Sequence, residues 1–346
     1  MSDTAIARNE LDFDPAALEP WLRETLPDAR GPMRVQRIGG GQSNPTYFVH
    51  FDTLKLVLRK RPPGELPKST HDMGREYRIL RALHGTAVPV PQPVLYREQS
   101  DIVGTPFYLM RQVDGRVFHD SRLPEVPRAE RRAYYRELVR VLAALHTLDW
   151  RSTGLASFAR PGRYLVRQVE RWAKAWGPAA LDDPQVSRVV RWLGANIPES
   201  EDQAIVHGDY KMNNALFHPA QPELLAIFDW ELCAIGDPLS DLAHAWSFTW
   251  GTAPEDYGGL QGTDLEAAGL PSPEEFFAEY YAVSGTPRRV TPFHLALAHF
   301  RTAGIFHGIA ERAASGSANA ANAEQKGRLD RVYVARALEI ARRHGG

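Results

Sequence analysis

The order in which strand-like and helix-like segments follow one another constrains this chain more than any other feature. Strand-like runs come first, at Met33–Ile38, Thr46–Phe51, Lys55–Lys60 and Pro106–Arg111. Beyond them the pattern turns helical, over Arg128–Leu148, Gly162–Trp176, Pro184–Asn196, Leu239–Trp250, Pro273–Val283, Pro292–Ala314 and Ala320–Arg343. One β-like island, Ala204–Asp209 then Leu224–Trp230, interrupts this second part. A doubly wound sheet would alternate strand and helix from end to end. Strands gathered first and helices later predict an α+β, bilobal fold, with a small antiparallel sheet in the N-terminal lobe and a large, mainly helical C-terminal lobe. A chain of 346 residues also exceeds the usual size of one core. The turn-like Val113-Asp114-Gly115 sets the boundary, giving lobes 1–112 and 113–346.

Two helices are expected within the front lobe. One runs from Asp14, a capping residue, to Leu26. The other runs from His71 to Leu83, with Met73, Tyr77 and Leu80 at helical spacing. Val88–Pro93, rich in proline, reads as extended loop, Gly251–Pro271 as a loop, and Ala313–Ala323 as a helix break.

Composition narrows the partners. The net charge of -1, with no basic stripe, argues against nucleic acid. The apolar runs fall short of the ~20 residues that span a bilayer. The N-terminus shows no secretory pattern, and the single cysteine, Cys233, suits a reducing compartment. The expectation is a soluble, cytoplasmic protein. Nothing in the sequence sets its oligomeric state.

The chemistry concentrates in His207-Gly208-Asp209-Tyr210-Lys211-Met212-Asn213-Asn214, directly after a β-like run. A second such run ends in Asp229-Trp230-Glu231. Phosphoryl transfer requires these residue types. A carboxylate orients or takes the proton of an attacking hydroxyl, and hard oxygen ligands hold Mg²⁺ against phosphates. Positioning and charge neutralisation do most of the remaining work.

These residues resemble the H-G-D-x-x-x-x-N loop of the aminoglycoside phosphotransferases and choline kinases, which share the protein-kinase-like fold. Asp229 matches the aspartate of their D-F-G-like triplet, and Gly236-Asp237-Pro238-Leu239-Ser240-Asp241-Leu242-Ala243 matches their G-D-P-x-x-D-L-A segment. The resemblance runs from Val35 to at least Ala310. It is closest to the branch fused to acyl-CoA dehydrogenases in animals, through Gly40–Tyr47, Leu56–Gly64 and Gly104–Met110. It implies an ATP- and Mg²⁺-dependent kinase acting on a small-molecule hydroxyl. Asp209 would be the base, Asn214 and Asp229 the Mg²⁺ ligands, and His207 and Asp241 braces of the loop. Lys211 either touches the γ-phosphate or is an exposed loop lysine. Glu231 either assists a metal or faces solvent, and Asp237 serves as a turn or cap.

In the front lobe, Gly39–Asn44 either covers the phosphates, with Gly40, Gly41, Ser43 and Asn44 as contacts, or forms a hairpin turn. On the third strand Arg59 and Lys60 point to opposite faces, so one serves the phosphates. The family pattern puts Arg59 in the place of a lysine, a departure because the two cations are not interchangeable. Glu76 would pair with it, or else sit as a surface charge. Met110 through Val113 would form the hinge over adenine, or else an edge strand.

Two rival classes are a nucleotide-binding pseudokinase, suggested by Arg59 and Trp230, and a metal-dependent hydrolase built on His207, Asp209, Asp229 and Asp241. No G-x-S-x-G elbow appears. Family enzymes acting on aminoglycosides bind those polycations with carboxylates, whereas this chain ends in the basic Ala341–Gly346 and carries Arg163, Arg167, Arg171, Arg301 and Arg312. Most of these arginines are expected on solvated helix faces. The acceptor expected instead is a hydroxylated metabolite, such as a hydroxyacyl thioester.

Overall fold

The computed structural model describes residues 11–39, 44–64, 71–177, 182–199, 201–314 and 327–345. The fold is α+β, and the chain divides into two compact units, Met1–Asp114 and Gly115–Gly346.

The first unit is built on a five-stranded antiparallel sheet ordered β1-β2-β3-β5-β4. Its strands are β1 (Arg34–Arg37), β2 (Thr46–His50), β3 (Lys55–Lys60), β4 (Pro93–Arg97) and β5 (Phe107–Arg111). The register sets Tyr47 opposite Leu58 and Leu58 opposite Leu109. One face of the sheet therefore collects Tyr47, Val49, Leu56, Leu58 and Leu109, all buried in one core with Leu18 and Leu22. Those two leucines come from the helix Pro15–Thr25, whose first turn is capped by Asp14 accepting from the Ala16 N–H at 2.9 Å. β4 was hidden in sequence because a proline-rich loop runs straight into it. Pro93 opens the strand at the sheet edge, where a missing N–H is tolerated, and an irregularity follows before Leu95. The helix Met73–Leu83, capped by Asp72, buries Met73, Glu76, Ile79, Leu80 and Leu83. A glutamate on that apolar face requires partners.

In the second unit the β island resolves into two small pieces. β7 (Ala204–Val206) pairs with β10 (Ala234–Gly236), and β6 (Arg116–Val117), β8 (Ala215–Phe217) and β9 (Leu224–Ile227) form a three-stranded sheet. β8 and β10, of three residues each, are too short to show an alternating pattern. The major helices are Arg131–Thr147, Tyr164–Ala175, Pro184–Ala195, Pro238–Thr249, Pro273–Ser284, Pro292–Ala314 and Leu329–Arg343. Trp172, Trp176, Leu193, Phe300 and Tyr333 are central to the apolar core they share. The segment expected as a loop, Gly251–Pro271, holds two one-turn helices, Pro254–Tyr257 and Leu265–Ala268. Residues 315–326, which take in most of the expected helix break, lie outside the described residues. Among the described residues no helix is long and apolar enough to cross a membrane.

Candidate active site

The loop 207–214 leaves β7 and is held from below by the helix Pro238–Thr249. Asp237 caps that helix through the Leu239 N–H at 2.9 Å and takes a two-pronged contact from Arg288. One turn on, buried Asp241 accepts the backbone N–H of His207 at 2.6 Å and of Gly208 at 2.9 Å, one on each oxygen. His146 Nε2 lies 3.3 Å from the same carboxylate, and its Nδ1 meets the Tyr280 hydroxyl at 2.7 Å. Burial pushes the Asp241 carboxyl up, but His146 and the other donors outweigh it and bring it to about 2. Gly208 has φ +84°, and a Cβ there would stand 2.6 Å from the Leu232 carbonyl, so only glycine lets the loop pass.

His207 is fully buried, and both ring nitrogens are engaged. Nδ1 accepts the Asp209 N–H at 3.0 Å, and Nε2 donates to the Phe228 carbonyl at 3.1 Å. Its ring packs on Trp230, centroids 4.5 Å apart, whose indole N–H donates to the Ile227 carbonyl at 3.0 Å. Burial lowers the His207 pKa below its ordinary value. A neutral imidazole with both nitrogens committed is a brace rather than a proton carrier.

Asp209 is the convergence point. Its Oδ2 accepts from Asn214 Nδ2 at 2.9 Å and stands 3.0 Å from Lys211 Nζ. Its Oδ1 meets His244 Nε2 at 3.1 Å. Burial would raise its pKa, but the Lys211 ammonium and the His244 hydrogen bond hold it well below the usual carboxylate range. Lys211 is likewise disfavoured by burial, yet the Asp209 charge keeps its pKa above the ordinary value. Lys211 is no loose loop lysine: its ammonium also lies 4.4 Å from the Phe248 ring centroid and 5.6 Å from that of Tyr257.

Asn214 and Asp229 flank adjacent antiparallel strands, β8 and β9, and the Phe228 N–H donates to the Asn214 carbonyl at 3.1 Å. Asn214 Nδ2 donates to the Asp209 carbonyl as well as to Oδ2, both at 2.9 Å, which fixes the amide's orientation. Its Oδ1 makes no hydrogen bond among the described residues. Asp229 adopts left-handed backbone, φ +70°, a conformation that glycine, asparagine and aspartate tolerate best. An amide oxygen plus a carboxylate is the hard-donor pair Mg²⁺ takes alongside phosphate oxygens. A metal-hydrolase centre has no such basis: among the described residues no group of three or more His, Cys, Asp or Glu side chains is arranged to hold a metal. Asp241 and His207, two of its proposed ligands, are committed to the loop. Glu231 is half-buried in the one-turn helix Trp230–Leu232.

In the first unit the pleat sends Arg59 and Lys60 to opposite faces. Lys60, 1% exposed, pairs with Asp12 at 3.0 Å beneath the sheet and lies over the Phe13 ring at 5.2 Å. Arg59 Nε stands 3.0 Å from Glu76 Oε2 on the other face. Glu76 is no surface charge. It is 2% exposed and also accepts from Tyr108 Oη at 3.0 Å and Asn44 Nδ2 at 3.1 Å. Asn44 Oδ1 meets His71 Nδ1 at 2.7 Å, so the Asn44 side chain serves Glu76 and His71. Gly40, Gly41 and Ser43 lie outside the described residues. Met110 sits in β5, paired with Val57 on one side and Pro93 on the other, so this stretch is not an edge strand. Val113 follows the sheet, and its backbone makes no hydrogen bond among the described residues.

Three residues of the site escape a motif search. His146 and His244 sit inside helices among apolar neighbours, where a histidine reads as core. Arg301, one of five arginines of which most were expected on solvated faces, is 7% exposed and donates to the Gly208 carbonyl. The one available signal was spacing: His244 follows Asp241 by three positions, on the same helix face.

Comparison with known proteins bears on the family and the fold. The family described as "Phosphotransferase enzyme family" matches residues 34–280. Acyl-CoA dehydrogenase family member 10 of Mus musculus is 36% identical over 349 residues, covering 99% of this chain but 32% of that protein. The chain thus spans about a third of that relative's length. A solved candidate aminoglycoside phosphotransferase from Ralstonia eutropha is 36% identical, with a TM-score of 0.85 over 96% of this chain and 99% of that one. The choline kinase of Cryptosporidium parvum, 12% identical, superposes with a TM-score of 0.63 over 95% of this chain and 96% of its own, a likeness of fold alone.

Proposed function

This chain belongs to the phosphotransferase enzyme family, and from that premise we propose that it is an ATP-dependent, Mg²⁺-requiring kinase whose acceptor is a hydroxyacyl-type metabolite. It is a small-molecule phosphotransferase acting on hydroxyl groups. The observation that carries the finer reading is Asp209: a charged carboxylate fixed by Asn214, Lys211 and His244 on a loop braced by Asp241. The first unit would bind nucleotide through Arg59, oriented by Glu76, and through the Val113 backbone. The second would supply chemistry and acceptor. A cytoplasmic setting and a small-molecule partner suit the balanced charge.

In this reading Asp209 orients the acceptor hydroxyl and takes its proton. Lys211, charged and caged by two rings, neutralises phosphoryl oxygens. Asn214 Oδ1 and the Asp229 carboxylate would hold magnesium, which supplies charge neutralisation at the phosphates. The protein's contribution is positioning in a preorganised polar setting.

For the acceptor, the second unit offers a cavity of about 450 Å³ lined by Trp246, Trp250, Leu295, His299, Arg336 and Ile340, among others. Its one lining carboxylate, Glu339, is paired with Arg343. Arg336 is in turn paired with Asp256, so the cavity presents aromatic walls and balanced charge, which suits an apolar chain better than a polycation. A screen of hydroxylated metabolites for ADP release, including acyl-CoA derivatives and aminoglycosides, tests this. Release with hydroxyacyl compounds alone is expected. Release with aminoglycosides alone overturns the acceptor class, and MgATP binding without release on any compound overturns the kinase.

Two substitutions probe the nucleotide site. Arg59→Ala removes a charge-assisted phosphate contact of about 1.5–3 kcal/mol, so the KM for ATP should rise on the order of tenfold or more. An unchanged KM takes Arg59 out of the nucleotide site. Asp229→Ala should weaken ATP binding, followed by calorimetry, only when Mg²⁺ is present; equal weakening without the metal argues against a ligand role.

A further inference from the structure

An ionised carboxylate offers about four lone-pair directions, two per oxygen. At Asp209 three are taken. Asn214 and Lys211 fill Oδ2, and His244 takes one direction on Oδ1. We propose that His244 is the positioning residue that selects Oδ1 of Asp209 as the oxygen receiving the acceptor's proton. This rests on the reading of Asp209 as the base.

The hydrogen pattern of His244 supports the assignment. Facing a charged carboxylate, Nε2 carries the proton and donates it as a hydrogen bond. Nδ1 is then a bare lone pair, buried and without a hydrogen-bond partner among the described residues. Among the described residues the ring's one hydrogen bond is the one to Asp209. The ring is completely buried, with Phe248 edge-on at 4.9 Å, so it cannot swing away. Burial and the nearby Arg301 keep the imidazole neutral, lowering its pKa to about 4 despite the adjacent carboxylate. His244 therefore holds the carboxylate plane without competing for the proton. When the acceptor O–H bond breaks, its proton passes to the vacant direction on Oδ1. The acceptor oxygen bonds to the γ-phosphorus of ATP, and the bond from that phosphorus to ADP breaks. Arg301, bonded to the Gly208 carbonyl, holds the backbone preceding Asp209 from the opposite helix.

Two measurements test this. In ¹⁵N-imidazole spectra of the apo protein, His244 should show the neutral form protonated at Nε2, with a proton signal that shifts in Asp209→Asn. An Nδ1-protonated ring overturns the proposal. With MgATP and water as acceptor, and then with any acceptor from the screen, His244→Phe should lower kcat on the order of tenfold to a hundredfold at unchanged KM for ATP. His244→Gln, whose amide can donate from the same place, should recover most of that loss. A purely structural role would instead make both variants lose stability with kcat per folded molecule preserved. If Asp209→Asn is inactive while His244→Phe turns over normally, this inference alone fails. If Asp209→Asn stays active, the base reading fails first.

Discussion

Asp209→Asn lowers ADP release on the order of 10²–10⁴-fold, the range general base catalysis supplies, while MgATP still binds. The substitution keeps the shape of the side chain and removes its charge and half of its accepting capacity. Three donors, on Asn214, Lys211 and His244, then face an amide that is itself partly a donor. A destabilisation of about 1–3 kcal/mol accompanies the change, because a buried donor loses its acceptor. Calorimetric titration with MgATP separates the two effects: affinity within a few-fold of the parent shows an intact nucleotide site, and the rate loss is then chemical. Activity close to that of the parent removes Asp209 from the base role.

Asp241→Ala should be the most damaging single change to the fold of the loop. Its carboxylate, fully buried, is the acceptor for two consecutive backbone N–H groups and the partner of His146. Removing one member of such a buried set costs about 3–5 kcal/mol. Denaturant unfolding should register the loss, and turnover should fall with it because the loop carrying Asp209 loses its footing. Acid provides a second readout. The carboxyl is held at about 2 in the folded chain against an ordinary 3.8. A depressed pKa stabilises the fold fully above pH 3.8, and that contribution disappears as the pH falls through about 2. At 1.36 kcal/mol per unit, the contribution is about 2–3 kcal/mol. The stability gap between the parent and Asp241→Asn should therefore narrow between those two pH values. A gap that stays constant means the carboxylate does not brace the loop as a charge.

Much of the architecture was legible because periodicity reports burial. Pro292–Ala314 has the bounds its pattern predicts, and the other long helices agree to within a few residues at most ends. Strands of two or three residues were not, since alternation needs more residues to show. Within the site, an aspartate ahead of a helix proline stood out as a cap, whereas the carbonyl that Gly208 must pass is visible only in the fold. Arg59 and Lys60 show where one strand's pattern stops. Alternation says that they part, while only the sheet register and Asp12 say which one goes beneath. His146, His244 and Arg301 come from helices far apart in sequence, and their meeting at one loop is a tertiary fact.

The left-handed backbone at Asp229 has a consequence for how this position can vary. Only glycine, asparagine and aspartate sit there with ease, and only the latter two present an oxygen. Asparagine would preserve the turn and a neutral oxygen while cancelling one negative charge. Drift at this position is thereby channelled: the chain can soften its grip on a cation in one step without deforming, whereas alanine or serine would also have to absorb the backbone strain.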